Sequence, residues 1–195
     1  MKLHYEGKYN MDPASLPQAE HKPDAVEFKE AGDTKKLAVI ATVISFVVIV
    51  IMLIPAVIRL RGQFGFDDFT AAWLGCLCSL LTLYPHELLH SVCFKGDVYM
   101  YTNFKQGMMF VIGTEDMSKG RFIFMSLLPT LIFGVLPFAA GMIFPKLVFL
   151  TAFGIMCASM GSGDLYNAFN ALTQIPRGGR TYMSGFHSYW YMPQK

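Results

Sequence analysis

Charged side chains are scarce in this chain. They make up 15% of its 195 residues, against roughly 25% in soluble domains, whereas 53% of the residues are hydrophobic and the mean hydropathy is +0.39. The formal net charge of +2 is spread along the chain without a basic stripe, which excludes a nucleic-acid partner. The composition is that of an integral membrane protein, whose surroundings are the lipid bilayer.

We expect neither a cleavable signal peptide nor a disulfide framework. Residues 1–36 are polar and contain no apolar stretch of the kind that a signal sequence requires. All four cysteines lie in or at the end of apolar segments, where small core residues are expected. They are Cys76, Cys78, Cys93 and Cys157.

Four apolar segments predict an all-α integral membrane protein with four transmembrane helices. Each is long enough for the roughly 20 residues that a helix needs to cross a bilayer. The second segment contains Pro85, which we expect to kink its helix. The four segments are residues 37–58, 69–94, 122–144 and 147–175.

Polar segments divide the chain into three parts. We expect a loosely ordered polar head at 1–36, a membrane domain at 37–176, and a basic and aromatic tail at 177–195 that lies at the membrane interface. The connection at 95–121 contains two β-prone stretches, which predict a short hairpin. Of the 16 Lys and Arg residues, 13 lie in the head, this connection and the tail. We therefore expect a multi-pass protein of the cell membrane with both termini in the cytoplasm.

The second apolar segment ends in the motif His86-Glu87-Leu88-Leu89-His90. Residues four apart share one face of a helix, so His86 and His90 can supply two ligands to one Zn²⁺ ion. Glu87 would lie beside the metal, where it can take a proton from a bound water. Charged residues at the end of an apolar span are expensive and indicate a functional site.

A third ligand is expected because a catalytic zinc ion usually has three protein ligands and one water. His86 follows the start of the second span by 17 residues, and Asp164 follows the start of the fourth by the same number, so both should lie at one depth. Small residues at 161–163 would let the fourth helix approach the second. Asn167, one turn after Asp164, is expected to orient a ligand or the substrate. The alternative third ligands are Glu115, Asp116 and His187.

This combination of motifs resembles the site-2 protease type of intramembrane zinc metalloprotease. The chain is more similar still to the small bacterial membrane proteins grouped as zincin peptidases, over roughly residues 69–172. The resemblance implies that His86, His90 and Asp164 bind Zn²⁺. It also implies that Glu87 acts in the hydrolysis of peptide bonds in a membrane protein or peptide. The site-2 pattern of Asn-Pro and Leu-Asp-Gly is absent, since Asp164 stands here in Gly-Ser-Gly-Asp-Leu. A membrane scaffold or binding protein that keeps the fold without catalysis is the alternative function.

Overall fold

The computed structural model describes residues 2–62 and 65–194. Its helices are α1 (Thr34–Leu60), α2 (Phe66–Ser79), α3 (Leu83–Ser91), α4 (Lys119–Pro129), α5 (Leu136–Ile143), α6 (Val148–Met160) and α7 (Ser162–Gln174). Its strands are β1 (Leu3–Lys8), β2 (Val26–Glu27), β3 (Val98–Asn103), β4 (Met108–Ile112), β5 (Met117–Ser118), β6 (Arg180–Ser184) and β7 (His187–Tyr191). The fold is therefore mixed α/β, and the prediction of an all-α protein is wrong.

The strands form two sheets. One has the order β1-β3-β4, with β1 parallel to β3, and the other has the order β2-β7-β6-β5 with antiparallel neighbours. The head at 1–36 is thus not loosely ordered, because β1 pairs Leu3 with Val98 and Tyr5 with Met100. The partner of β1 lies more than 90 residues away along the chain, so the polar composition of the head gave no local sign of a strand.

The C-terminal tail is a hairpin. Strands β6 and β7 pair from Arg180–Tyr191 to Ser184–His187, and the turn uses Gly185 at φ +60°. A left-handed backbone of this kind suits glycine, because it has no Cβ. The position of this tail at the membrane interface stays a prediction. Its alternating aromatic and polar residues suit a strand as well as an interface.

The hairpin predicted in the connection at 95–121 is confirmed. Strand β3 pairs antiparallel with β4, and a short 3₁₀ turn at Phe104–Gln106 joins them. Gly107 completes the turn at φ +64°.

Among the described residues, three helical stretches are long and apolar enough to cross a membrane: Thr34–Leu60, Phe66–Ser91 and Lys119–Ile143. The fourth predicted span is two helices, α6 and α7, which are bent by 55° at a break between Met160 and Ser162. The prediction of four transmembrane helices is corrected accordingly. A fourth span exists only if the bent pair is counted as one.

Two of the long stretches also depart from a regular α-helix. A 3₁₀ turn at Leu80–Thr82 separates α2 from α3, just before Pro85, where a kink was predicted. A π-helical turn at Thr130–Val135 separates α4 from α5, directly after Pro129. Proline has no N–H to give to the carbonyl four residues earlier. The carbonyls that lose this donor to Pro85 and Pro137 belong to Leu81 and Phe133, which lie within the 3₁₀ turn and the π-helical turn respectively.

The chain forms two compact units. The helical unit comprises residues 31–62, 65–86 and 127–166. Large apolar side chains of α1 are exposed, among them Phe46 at 67%, Ile51 at 64% and Ile58 at 70%. In water such a surface would be costly, whereas in a bilayer it faces lipid.

Backbone contact holds the helices of this unit together. A Cβ at Gly154 in α6 would lie 2.6 Å from the carbonyl oxygen of Gly134 and 2.8 Å from the Cβ of Phe138. Small residues permit such close approach between membrane helices, where apolar burial gives little driving force.

The sheet unit comprises residues 2–30, 87–126 and 167–194. Its main core is made of large apolar side chains from strands and helices together. The buried members are Phe28, Phe94, Val98, Met117, Phe122, Met125, Ala171 and Ile175. A second core lies beside the three-stranded sheet, where Tyr9 is 2% exposed and makes edge-on contacts with Tyr101 and Phe110.

We expect Gly154→Ala to lower the stability of the folded protein in detergent. The added methyl group overlaps backbone atoms, and overpacking of this kind typically costs about 1–3 kcal/mol. Thermal unfolding measures the effect. Gly120→Ala is the matched control, because nothing lies within 4 Å of a Cβ at that helical glycine. Equal melting temperatures for the two variants would contradict the close approach.

Candidate metal centre

Helix α3 carries the candidate metal ligands. Its nine residues include His86, Glu87 and His90, and one ligand atom from each of the three lies within 4.8 Å of those of the other two. Glu87 and His90 are buried, with 9% and 7% exposure. Two imidazoles on one helix face are common ligands of Zn²⁺ in hydrolytic sites, and the carboxylate between them has the position of a base beside the ion, so the residues present fit this ion.

His90 is oriented by a backbone carbonyl. Its Nδ1 lies 3.0 Å from the oxygen of Met125 in α4. A carbonyl oxygen can only accept, so Nδ1 carries the proton of this hydrogen bond and Nε2 is the ring nitrogen that would bind a metal. Metal-binding histidines are commonly fixed in this way by a partner on their other ring nitrogen.

His86 contacts the acid that the sequence proposed as third ligand. Its Nε2 lies 2.8 Å from Oδ2 of Asp164, and the two side chains are 13% and 17% exposed. Two ligands of one tetrahedral zinc ion lie about 3.4 Å apart, so this pair has nearly the spacing of two ligands. A nitrogen and a carboxylate oxygen that share a proton can also share a cation. The role of Asp164 as a ligand stays a prediction.

Helix α7 begins two residues before Asp164, so the carboxylate lies in the first turn, where the helix dipole favours negative charge. The small residues at 161–163, at the break before α7, do not make the contact that was expected of them. A Cβ at Gly161 would overlap Thr130, whereas nothing lies within 4 Å of a Cβ at Gly163. Gly161 therefore approaches the π-helical turn, and not the second helix as expected. Asn167 is half-buried on α7, and its role also stays a prediction.

The three alternative ligands have other partners in the sheet unit. Asp116 accepts hydrogen bonds from Arg180 Nε at 2.7 Å and from the Tyr191 hydroxyl at 2.9 Å. His187 Nδ1 lies 3.4 Å and 3.5 Å from the carboxylates of Glu27 and Glu30. These pairs join strands of the four-stranded sheet, which accounts for their presence without a metal.

Glu115 binds the backbone of the segment that follows α3. It accepts hydrogen bonds from the backbone N–H groups of Lys95 and Gly96 and from Arg121 Nη1 at 2.6 Å. Burial alone would raise the pKa of Glu115, but these hydrogen bonds and the Arg121 charge outweigh it and hold the pKa below its usual value.

Arg121 is a residue that the sequence reasoning missed. Besides Glu115, its guanidinium binds the carbonyl of Cys93 through Nε at 3.0 Å and through Nη2. It therefore anchors the chain three residues after His90. Arg121 and Cys93 are 28 positions apart in the sequence, and no local pattern connects them.

A helix that carries the motif His-Glu-x-x-His, with both histidines on one face, is typical of the zincin class of metallopeptidases. Residues 79–178, about half of the chain, match the model of the family described as "Putative zincin peptidase". The chain belongs to this family, and the matched region includes His86, His90 and Asp164. No curated protein and no solved structure matched the chain.

The lowered pKa of Glu115 predicts a pH-dependent contribution to stability. A carboxylate whose folded-state pKa is depressed binds fewer protons in the folded than in the unfolded state, so its contribution is present above the usual value of 4.5 and is lost as the pH falls below it. We expect the free energy of unfolding of Glu115→Gln to lie below that of the wild type at pH 7, and the difference to shrink at pH 4. Glu20→Gln, at an exposed position, is the control. A gap that is constant between the two pH values would refute the argument.

Proposed function

We propose that this protein is a membrane-embedded zinc metallopeptidase in which His86, His90 and Asp164 bind Zn²⁺ and Glu87 is the catalytic base. One observation carries the proposal: α3 presents the half-buried His86 and the buried Glu87 and His90 with ligand atoms within 4.8 Å of one another. Membership of the zincin family supports it. The contact between His86 and Asp164 supports the choice of third ligand.

The ion would polarise the scissile carbonyl and lower the pKa of an attacking water. Glu87 takes the proton of that water and passes it to the leaving amine. The hydrogen bond from His90 Nδ1 to the carbonyl of Met125 is kept throughout, so the His90 ring does not turn during the reaction. Asn167, one turn beyond Asp164, is the proposed orienting residue.

The substrate we propose is a peptide segment of a membrane protein. Exposed apolar side chains along the long helices suit lipid surroundings, which supports a substrate from the same membrane. A helix hides its backbone carbonyls, so the segment must be extended where it is cut. Strand β4 lies at the edge of the three-stranded sheet and could take an added strand from such a substrate. The site-2 likeness is consistent with this mode of binding.

We also propose that the sheet unit faces the cytoplasm. Pairing of β1 with β3 and of β2 with β7 joins the head, the connection and the tail in one hydrogen-bonded unit, which a bilayer cannot divide. These three parts carry 13 of the 16 Lys and Arg residues. Positive charge of this kind accumulates on the cytoplasmic side.

The first test concerns the metal. We expect purified protein to bind about one zinc ion per chain. His90→Ala should lose the ion, because the two proposed ligands that remain cannot hold it tightly. Elemental analysis after purification without chelators measures the content. His21→Ala, at an exposed histidine of the sheet unit, should keep the metal. A wild-type protein without a divalent metal would refute the proposal.

A second test separates Glu87 from Asp164. Glu87→Gln keeps the shape but cannot accept a proton, so we expect zinc to be retained and peptide cleavage to fall by about 10²–10⁴-fold. Asp164→Ala should weaken zinc binding and cleavage together, since it removes a ligand. Zinc content and cleavage of a membrane-protein substrate are measured in each variant.

Asp67→Ala provides the matched control at an exposed acid in the first turn of α2. Normal cleavage by Glu87→Gln would favour the non-catalytic scaffold over the peptidase. Full zinc content in Asp164→Ala would remove that residue from the ligand set.

A further inference from the structure

The carbonyl of Met125 cannot make the usual helical hydrogen bond. In an α-helix this oxygen accepts from the N–H four residues later, which here belongs to residue 129. Residue 129 is a proline inside α4 and has no N–H to give. The oxygen of Met125 instead lies 3.0 Å from Nδ1 of His90. The acceptor that proline leaves without its helical donor is therefore the one that orients a candidate metal ligand.

We propose that Pro129 is a positioning residue for the metal centre. By withholding an N–H from Met125, it leaves that carbonyl to accept the Nδ1 proton of His90. The proton then stays on Nδ1, and Nε2 carries the lone pair that a metal needs. The link to zinc rests on the proposed function, whereas the tautomer of His90 is a property of the chain itself.

A carbonyl oxygen can accept two hydrogen bonds, so the direction of the C=O bond matters. A helical N–H at residue 129 would hold the oxygen of Met125 along the axis of α4. Without that donor, the carbonyl is able to tilt away from the axis toward a neighbouring donor. Both partners are buried, Met125 at 6% and His90 at 7% exposure, so water does not readily replace either one.

The contact between α3 and α4 does not depend on this hydrogen bond alone. Arg121, one turn before Met125 on α4, binds the carbonyl of Cys93, three residues after His90. The aromatic side chains of Phe94 and Phe122 belong to the same buried core. A change at residue 129 should therefore alter the orientation of His90 without separating the helices.

The experiment is Pro129→Ala, which restores an N–H to the helix. In the metal-free protein, ¹⁵N NMR of the histidine side chains should show His90 moving from the Nδ1-protonated form to a mixture of tautomers. Zinc affinity should fall about 10–100-fold, as is usual when the partner of a metal-binding histidine is disturbed. The melting temperature of the metal-free protein should stay equal or rise, because alanine suits a helix better than proline. A merely structural proline would lower it.

Two controls isolate the missing donor. Lactic acid at residue 129, the α-hydroxy analogue of alanine, has neither a ring nor an N–H, so it should preserve the wild-type tautomer. Pro55→Ala changes a proline inside α1 and should leave the tautomer and zinc affinity unchanged.

An unchanged tautomer in Pro129→Ala, or the same loss with lactic acid as with alanine, would overturn the proposal. If the wild-type protein binds no zinc, the proposed function fails, while the tautomer measurement still decides the role of Pro129.

Discussion

Backbone hydrogen bonding in apolar surroundings is the constraint on which the rest of the structure depends. Lipid offers no partner to an N–H or C=O group, so a helix that crosses a membrane is expected to be regular. Each helix that carries a candidate site residue nevertheless has an irregularity close to it. The 3₁₀ turn ends four residues before His86, the π-helical turn begins directly after Pro129, and the break before α7 comes three residues before Asp164. Such departures free or redirect backbone groups, and π-helical turns in particular are frequent at functional sites.

The features that could be predicted from the sequence are those that local spacing determines. The i, i+4 histidines of α3 follow from helix geometry, an irregularity near Pro85 follows from its missing N–H, and the β3–β4 hairpin follows from two short β-prone runs. The contact of Asp164 with His86 was predicted from equal depth in two parallel spans. The fourth predicted span is bent, however, so the rise per residue of a straight helix does not describe the path from its start to Asp164.

The remaining features depend on partners that are distant in the sequence. Strand β1 has a polar composition, and its pairing with β3 depends on hydrogen bonds to a segment more than 90 residues later. Glu115 and Asp116 look like solvated acids when only their neighbours are considered. The structure pairs Asp116 with Arg180, 64 residues later, and Glu115 with Arg121, which also binds the carbonyl of Cys93. Local polarity therefore gave no sign of these ion pairs or of strand β1.

The two histidines of α3 differ in how they would meet a metal. His90 donates to a backbone carbonyl that is not itself a proposed ligand, so its ring can keep this partner when an ion binds. The partner of His86 is the proposed ligand Asp164, so an ion bound by both side chains would take the place of the hydrogen bond between them. Ion binding would therefore change the contacts of His86 while requiring little reorientation of His90. In zinc fingers, by contrast, the metal organises the whole fold.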